Sequence, residues 1–159
     1  MFPVIPCVKM SPSAKVPSKV RVEDVGFDLY ADEDVLIYPH QVVKVKTSIK
    51  MAIPAGYAGF IFDKSGVGSK GVKVFGGVID SSYRGEIIVC LGYLVEERDN
   101  NNNVVTRNEY GFPSMYEVKK GEKVAQICFL QTPYFSLEES SELGETDRGE
   151  RGFGSTGLK

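Results

Sequence analysis

Tyr57-Ala58-Gly59-Phe60-Ile61-Phe62 is a six-residue run of apolar and aromatic side chains, closed upstream by Ile53-Pro54-Ala55-Gly56 and downstream by Lys64-Ser65-Gly66. A run that short, bounded by turn formers and rich in aromatics, predicts a buried strand and is too brief for a core helix. The same unit recurs on both sides. Val35 to Tyr38 and Val42 to Lys46 precede it; Val72 to Phe75, Glu86 to Leu91 and Lys123 to Leu130 follow. Tyr38-Pro39-His40, Gly76-Gly77 and Lys120-Gly121 punctuate them, which is the pattern of an all-β sandwich or barrel. Helical periodicity is nearly absent, apart from a short helical turn expected after Lys64-Ser65-Gly66. The reading is a single all-β domain, a distorted jelly-roll-like β fold carrying a flexible C-terminal arm from about residue 144 to residue 159.

Composition bounds the function. Nineteen Lys and Arg against 21 Asp and Glu leave a net charge of -2, which argues against direct nucleic-acid binding. Cys7, Cys90 and Cys128 are odd in number and lack CxxC spacing, so neither a disulfide framework nor a thiolate zinc site is expected, and a reducing cytoplasmic setting fits. No charged leader and no run of about 18 apolar residues suggests secretion or membrane spanning. His40 is the single histidine and sits in a turn, which removes Ser-His and His-rich metal chemistry unless His40 itself serves. Residues from about 96 to 115, with Asn100 to Asn103, read as a polar surface insertion tipping a hairpin whose return strand starts at Val104, and as a candidate protein-partner surface.

Four segments carry the chemistry. In Gly77-Val78-Ile79-Asp80-Ser81-Ser82-Tyr83-Arg84-Gly85, Asp80 follows an apolar pair that anchors it at a rim, making it the best general-base candidate in a chain with one histidine, although Asp also commonly just opens a turn. Asp63-Lys64-Ser65-Gly66 offers ammonium, hydroxyl and glycine backbone, the types a phosphate site needs, without Walker spacing. Asp28 lies between apolar neighbours in Gly26-Phe27-Asp28-Leu29, placed either for a backbone network or for a hydrated magnesium ion, and Gln126 supplies a neutral amide donor. The tail Arg148-Gly149-Glu150-Arg151-Gly152-Phe153-Gly154-Ser155-Thr156-Gly157 combines two guanidiniums, anion-cradling glycines and one ring able to cover a base. A disordered tail is the plain alternative.

Taken in order, these segments resemble the signature motifs of the trimeric dUTPases: Gly26-Phe27-Asp28-Leu29, Lys64-Ser65-Gly66, Gly77 to Gly85, Gly121-Glu122-Lys123-Val124-Ala125-Gln126, and Arg148 to Gly157. The resemblance implies a homotrimer with active sites shared between copies, and Mg2+-assisted hydrolysis of dUTP to dUMP and pyrophosphate. That reaction keeps uracil out of DNA and supplies dUMP. It implies that Asp80 activates the water attacking the α-phosphorus, that Gly77 and Val78 read uracil by backbone groups, and that Tyr83 packs under the deoxyribose and excludes a 2′-hydroxyl. Lys64, Ser65, Gly66 and Gln126 would hold phosphate oxygens; Arg148, Gly154, Ser155 and Thr156 the terminal phosphate. Phe153 would stack on uracil, and Asp28 would touch the metal through water. Two positions depart from the pattern: Lys64 stands where arginine is usual and so lacks the bidentate fork, and Arg151 where a small residue is common. The related dCTP deaminases need an acid near Cys90, which this chain lacks. A regulatory binding protein on the same scaffold is the rival of a different class.

Overall fold

The computed structural model describes residues 3–95, 97, 98, 101, 104, 105 and 115–151. Its elements in chain order are β1 (Cys7–Lys9), β2 (Phe27–Tyr30), β3 (Val35–Ile37), β4 (Val42–Lys46), β5 (Ile49–Met51), β6 (Tyr57–Phe62), the short helix α1 (Ser65–Gly68), β7 (Val72–Phe75), β8 (Val78–Ile79), β9 (Ile88–Tyr93), β10 (Glu97–Arg98), β11 (Val104–Val105), β12 (Tyr116–Val118) and β13 (Lys123–Gln131). A four-stranded sheet runs β2-β13-β6-β8 and a three-stranded sheet runs β4-β9-β7, with the pairs β1-β5, β12-β3 and β10-β11 around them. The strand pairs in these sheets are antiparallel. This is the jelly-roll-like β architecture expected from the sequence.

The two main sheets share one core. Leu29, Ile61 and Ile127 from the first meet Val45, Val72, Val89 and Leu91 from the second, with Ile37, Ile49 and Ile87 completing it. Each of these branched side chains contributes roughly 1.5 to 3 kcal/mol by leaving water. Alternation explains which residues face inward: in Val42-Val43-Lys44-Val45-Lys46 the lysines stay exposed while Val45 is fully buried.

Turn chemistry falls where glycines and Pro39-His40 placed it. Gly56, Gly76 and Gly121 have φ of 80°, 62° and 85°, and His40 has φ of 63°. The predicted helical turn appears as α1, and β10 pairs with β11 across the asparagine tract. Bounds moved at three strands: β3 ends at Ile37 and not Tyr38, β13 runs on to Gln131 past Leu130, and the strand predicted from Glu86 to Leu91 runs from Ile88 to Tyr93. Ile87 is still bonded to Ile49 through its backbone N–H, and the Glu86 carboxylate accepts the Ser48 N–H, so these two residues bridge to β5 before the ladder with β4 starts.

A buried carboxylate pins the N-terminal segment. Asp32 accepts from the Ser11 hydroxyl at 2.5 Å and the Ser13 hydroxyl at 2.7 Å, with Lys120 Nζ at 3.4 Å. These hydroxyls, Ser11 foremost, hold its carboxyl well below the usual carboxylate range.

Candidate active site

The Asp80 segment is shaped by two close approaches. At Gly77 an added Cβ would lie 2.4 Å from the Ile61 carbonyl oxygen, so only glycine lets β8 come this near β6. The Ile61 N–H donates to the Gly77 carbonyl at 2.7 Å, and the register continues as Phe60 with Val78 and Gly59 with Ile79. Ile79 packs against the core while Val78 is 62% exposed. The chain then turns: the Tyr83 N–H donates to the Asp80 carbonyl at 3.1 Å, and Arg84 Nη1 donates to the carbonyls of Ser81 at 2.6 Å and Tyr83 at 2.9 Å. The Tyr83 hydroxyl donates to the Glu86 carbonyl at 3.0 Å with its ring over Gly85, where a Cβ would meet that hydroxyl at 2.3 Å. The turn is held by main-chain groups, and the Asp80 side chain stands exposed, with no ion pair or hydrogen bond to it among the described residues.

A second group assembles across β2, β13 and β6. Gln126 on β13 lies opposite Asp28 on one side and Phe62 on the other, so the register alone collects Asp28, Gln126 and the loop that follows Phe62. Gln126 Nε2 donates to the Asp63 carbonyl at 2.9 Å, and Gly26 leaves room for its other end, since a Cβ there would lie 2.4 Å from Oε1. Asp63 anchors the loop: Oδ1 accepts the Val74 N–H at 2.7 Å and Oδ2 pairs with the Lys73 ammonium. Burial opposes ionisation of Asp63, and the Lys73 and Val74 bonds outweigh it, leaving the carboxyl below its ordinary value. Lys64 then enters α1 from extended backbone, its carbonyl accepting the N–H groups of Val67 and Gly68. Ser65 and Gly66 face solvent, and a Cβ on Gly66 would meet nothing within 4 Å. The hydroxyl and its neighbouring backbone are thus open to an anion.

Asp28 is 6% exposed, and both of its oxygens are taken. Oδ1 accepts from Lys64 Nζ at 2.7 Å and Oδ2 from Lys123 Nζ at 2.6 Å. Burial pushes the Asp28 carboxyl up, the two lysines pull it further down, and the net result lies below the usual value; the same hydrogen bond raises Lys123. A metal-bound water reaching Asp28 would share these oxygens with Lys64 and Lys123. Among the described residues no group of three or more His, Cys, Asp or Glu side chains forms a metal-ligand set. The donor set among the described residues does not form a metal-ligand cluster.

Arg148 belongs to a compact turn after the sandwich. Its Nε donates to the Arg151 carbonyl at 3.1 Å, Arg151 Nε donates back to the Arg148 carbonyl at 2.9 Å, and Gly149 takes φ of 52°. Phe153, Gly154, Ser155 and Thr156 lie outside the described residues. Sequence reading named Asp80, Tyr83, Ser65 and Gln126 but missed Lys123, which at the start of a strand looks like any solvated lysine. It also missed Asp63, whose role appears only once β7 is seen beside the loop. Near the position where a deaminase needs an acid, Cys90 is a half-buried thiol between Lys44 and Phe75.

A β sandwich that displays an exposed carboxylate, unpartnered among the described residues, beside an edge strand and gathers a hydroxyl, an amide and lysines around β2, β13 and the loop after β6 has the parts of an enzyme that hydrolyses a phosphorylated substrate. The dUTPase family model matches residues 12–98 and 113–157. Deoxyuridine 5'-triphosphate nucleotidohydrolases of Rabbitpox virus (strain Utrecht) and Monkeypox virus are each 38% identical over 152 residues, 96% of this chain and 92% and 89% of theirs. The Staphylococcus bacteriophage 80alpha dUTPase with dUpNHpp superposes with a TM-score of 0.80 at 26% identity, covering 99% of this chain and 100% of that one. The chain belongs to the dUTPase family.

Proposed function

We propose that this chain hydrolyses dUTP to dUMP and pyrophosphate, with Asp80 as the base for water attacking the α-phosphorus, in sites shared between copies of a homotrimer. The observation that carries this is how the half-sites are placed. On the outward face of the four-stranded sheet, Phe60, Phe62 and Val78 lie between Asp80 and Gln126, with the two phenylalanine rings stacked 6.5 Å apart and Phe62 47% exposed. Three residues along the strands and two strand spacings across separate Ile79 from Gln126, roughly 14 Å. Each copy thus presents a base on one side of an apolar ridge and a phosphate-holding group on the other. Packing the ridge against another copy buries exposed apolar surface and brings one copy's Asp80 to its neighbour's Ser65 and Gln126.

The roles follow from chemistry. β8 is an edge strand, so one side of its backbone has no strand partner among the described residues and is available to pair with the polar edge of uracil through Gly77 and Val78. The Tyr83 ring, fixed over Gly85, offers a flat apolar floor to a deoxyribose and no room for a 2′-hydroxyl. Ser65, Gly66, Lys64 and Gln126 receive phosphate oxygens, and Arg148 with the segment from Phe153 to Thr156 closes over the nucleotide and its terminal phosphate. Water attack at phosphorus asks mainly for positioning and charge neutralisation, and cations and amides supply both. The substrate is dUTP as its magnesium complex, the ion entering with the triphosphate. The three cysteines are thiols, and we place the enzyme in the cytoplasm as one domain whose 96–115 segment is an insertion and a candidate protein-partner surface.

Pyrophosphate release from a panel of nucleotides tests the reading. Rapid release from dUTP with magnesium is expected, with UTP and dCTP at least a hundredfold slower in kcat/KM. No release from dUTP by the assembled protein would leave the regulatory binding role instead.

A further inference from the structure

Lys123 is assigned no part in the half-site described above, yet it shares its carboxylate with a residue that is. It opens β13 just before a register irregularity between Lys123 and Ala125, and its side chain reaches Asp28 Oδ2 at 2.6 Å while Lys64 takes Oδ1 at 2.7 Å. One lysine would suffice to neutralise this carboxylate. Two ammonium groups on one carboxylate leave these three groups with an excess positive charge, which a further anion can neutralise. Exposure orients the cluster: the carboxylate side chain is 8% exposed and the lysine side chains 34% and 36%, so the anion is at the base and the lysines remain within reach of solvent. Each ammonium carries three donors and spends one on Asp28, the one hydrogen-bond acceptor shown for it among the described residues, which leaves two apiece, although Lys123 also feels the charges of Asp24 and Tyr30. The cluster adjoins the open Ser65-Gly66 loop, because Gln126 lies opposite Asp28 and also opposite Phe62, three residues before Ser65.

We infer that Lys123 is a second phosphate-binding cation of this site, acting with Lys64 on the pyrophosphate portion of the substrate, and that Asp28 is the positioning residue that fixes both. The inference rests on the proposed hydrolysis of dUTP. A flexible lysine lacks the planar fork of arginine and acts as a point charge, so two lysines braced on one carboxylate supply what one arginine would bring alone. Asp28 therefore serves phosphate binding through the lysines it orients.

Binding of inorganic pyrophosphate to the assembled protein, followed by calorimetry, separates this inference from the hydrolase reading, which pyrophosphate release from dUTP tests on its own. Lys123→Gln is expected to weaken pyrophosphate binding about tenfold, the loss of one charge-assisted hydrogen bond, and to reduce the salt dependence of that binding. Its KM for dUTP should rise about tenfold with kcat within about threefold of the parent, and Lys123→Arg should restore both. Unchanged pyrophosphate affinity in folded Lys123→Gln would overturn the assignment and leave a structural ion pair. Should Lys123→Gln fail to fold, Asp28→Asn/Lys123→Gln removes the charges in balance; it is expected to bind pyrophosphate at least tenfold more weakly, and parental affinity in it would overturn the assignment equally.

Discussion

Asp80→Asn lowers kcat for dUTP by about a thousandfold, the middle of the range for losing a general base. The amide is nearly isosteric but cannot take a proton from water. Little else should change, because the turn around position 80 is closed by main-chain groups, the Tyr83 N–H on the Asp80 carbonyl and Arg84 on the carbonyls of Ser81 and Tyr83. The side chain itself is exposed and supports nothing among the described residues. The thermal midpoint should stay within about 2 °C of the parent and the affinity for a non-hydrolysable dUTP analogue within about threefold. Steady-state pyrophosphate release with a parallel melting curve checks this, and a loss under tenfold would remove Asp80 from the chemistry.

Ending the chain at Asp147 is expected to cost about a thousandfold in kcat/KM while leaving assembly and stability intact. Residues 133–151 are all exposed, and the last backbone bond to the sandwich is from the Thr132 N–H to the Gly56 carbonyl, so among the described residues no core contact is lost by stopping at Asp147. What is lost is Arg148 and everything proposed to close over the triphosphate. Removing a positioned donor typically costs a hundred- to a thousandfold, and an open site also readmits water around the reacting phosphate. Turnover by the shortened chain, with its mass in solution measured alongside, gives the answer. Parental kinetics would remove the arm from the reaction.

The strands that were legible in the sequence are those in which apolar residues run unbroken between turn formers, as in β6, or alternate with an outward lysine, as in β7, and the bounds of both were read as they stand. β2 was not, because Asp28 interrupts its apolar residues, and a charge inside a strand reads as a break until its two lysines are seen. β1, β5 and β12 are three residues each, too short for any period to show. At the site, residue types were legible and partnerships were not. Asp28 was read without its lysines because a lone sequence carries no record of Lys64 and Lys123 reaching it from two other strands' ends. The separation of Asp80 from Gln126 is likewise a matter of strand register, which no local pattern encodes.

Mixing two inactive variants tests most directly whether copies share the site. Asp80→Asn lacks the base, and Ser65→Ala/Gln126→Ala lacks the phosphate-holding group. If one copy's Asp80 works with its neighbour's Ser65 and Gln126, exchange of copies between the two proteins creates intact sites, at random about one in four. Pyrophosphate release from dUTP should then rise to about a quarter of the parental rate. A mixture that exchanges copies and stays as inactive as its components would contradict the shared site.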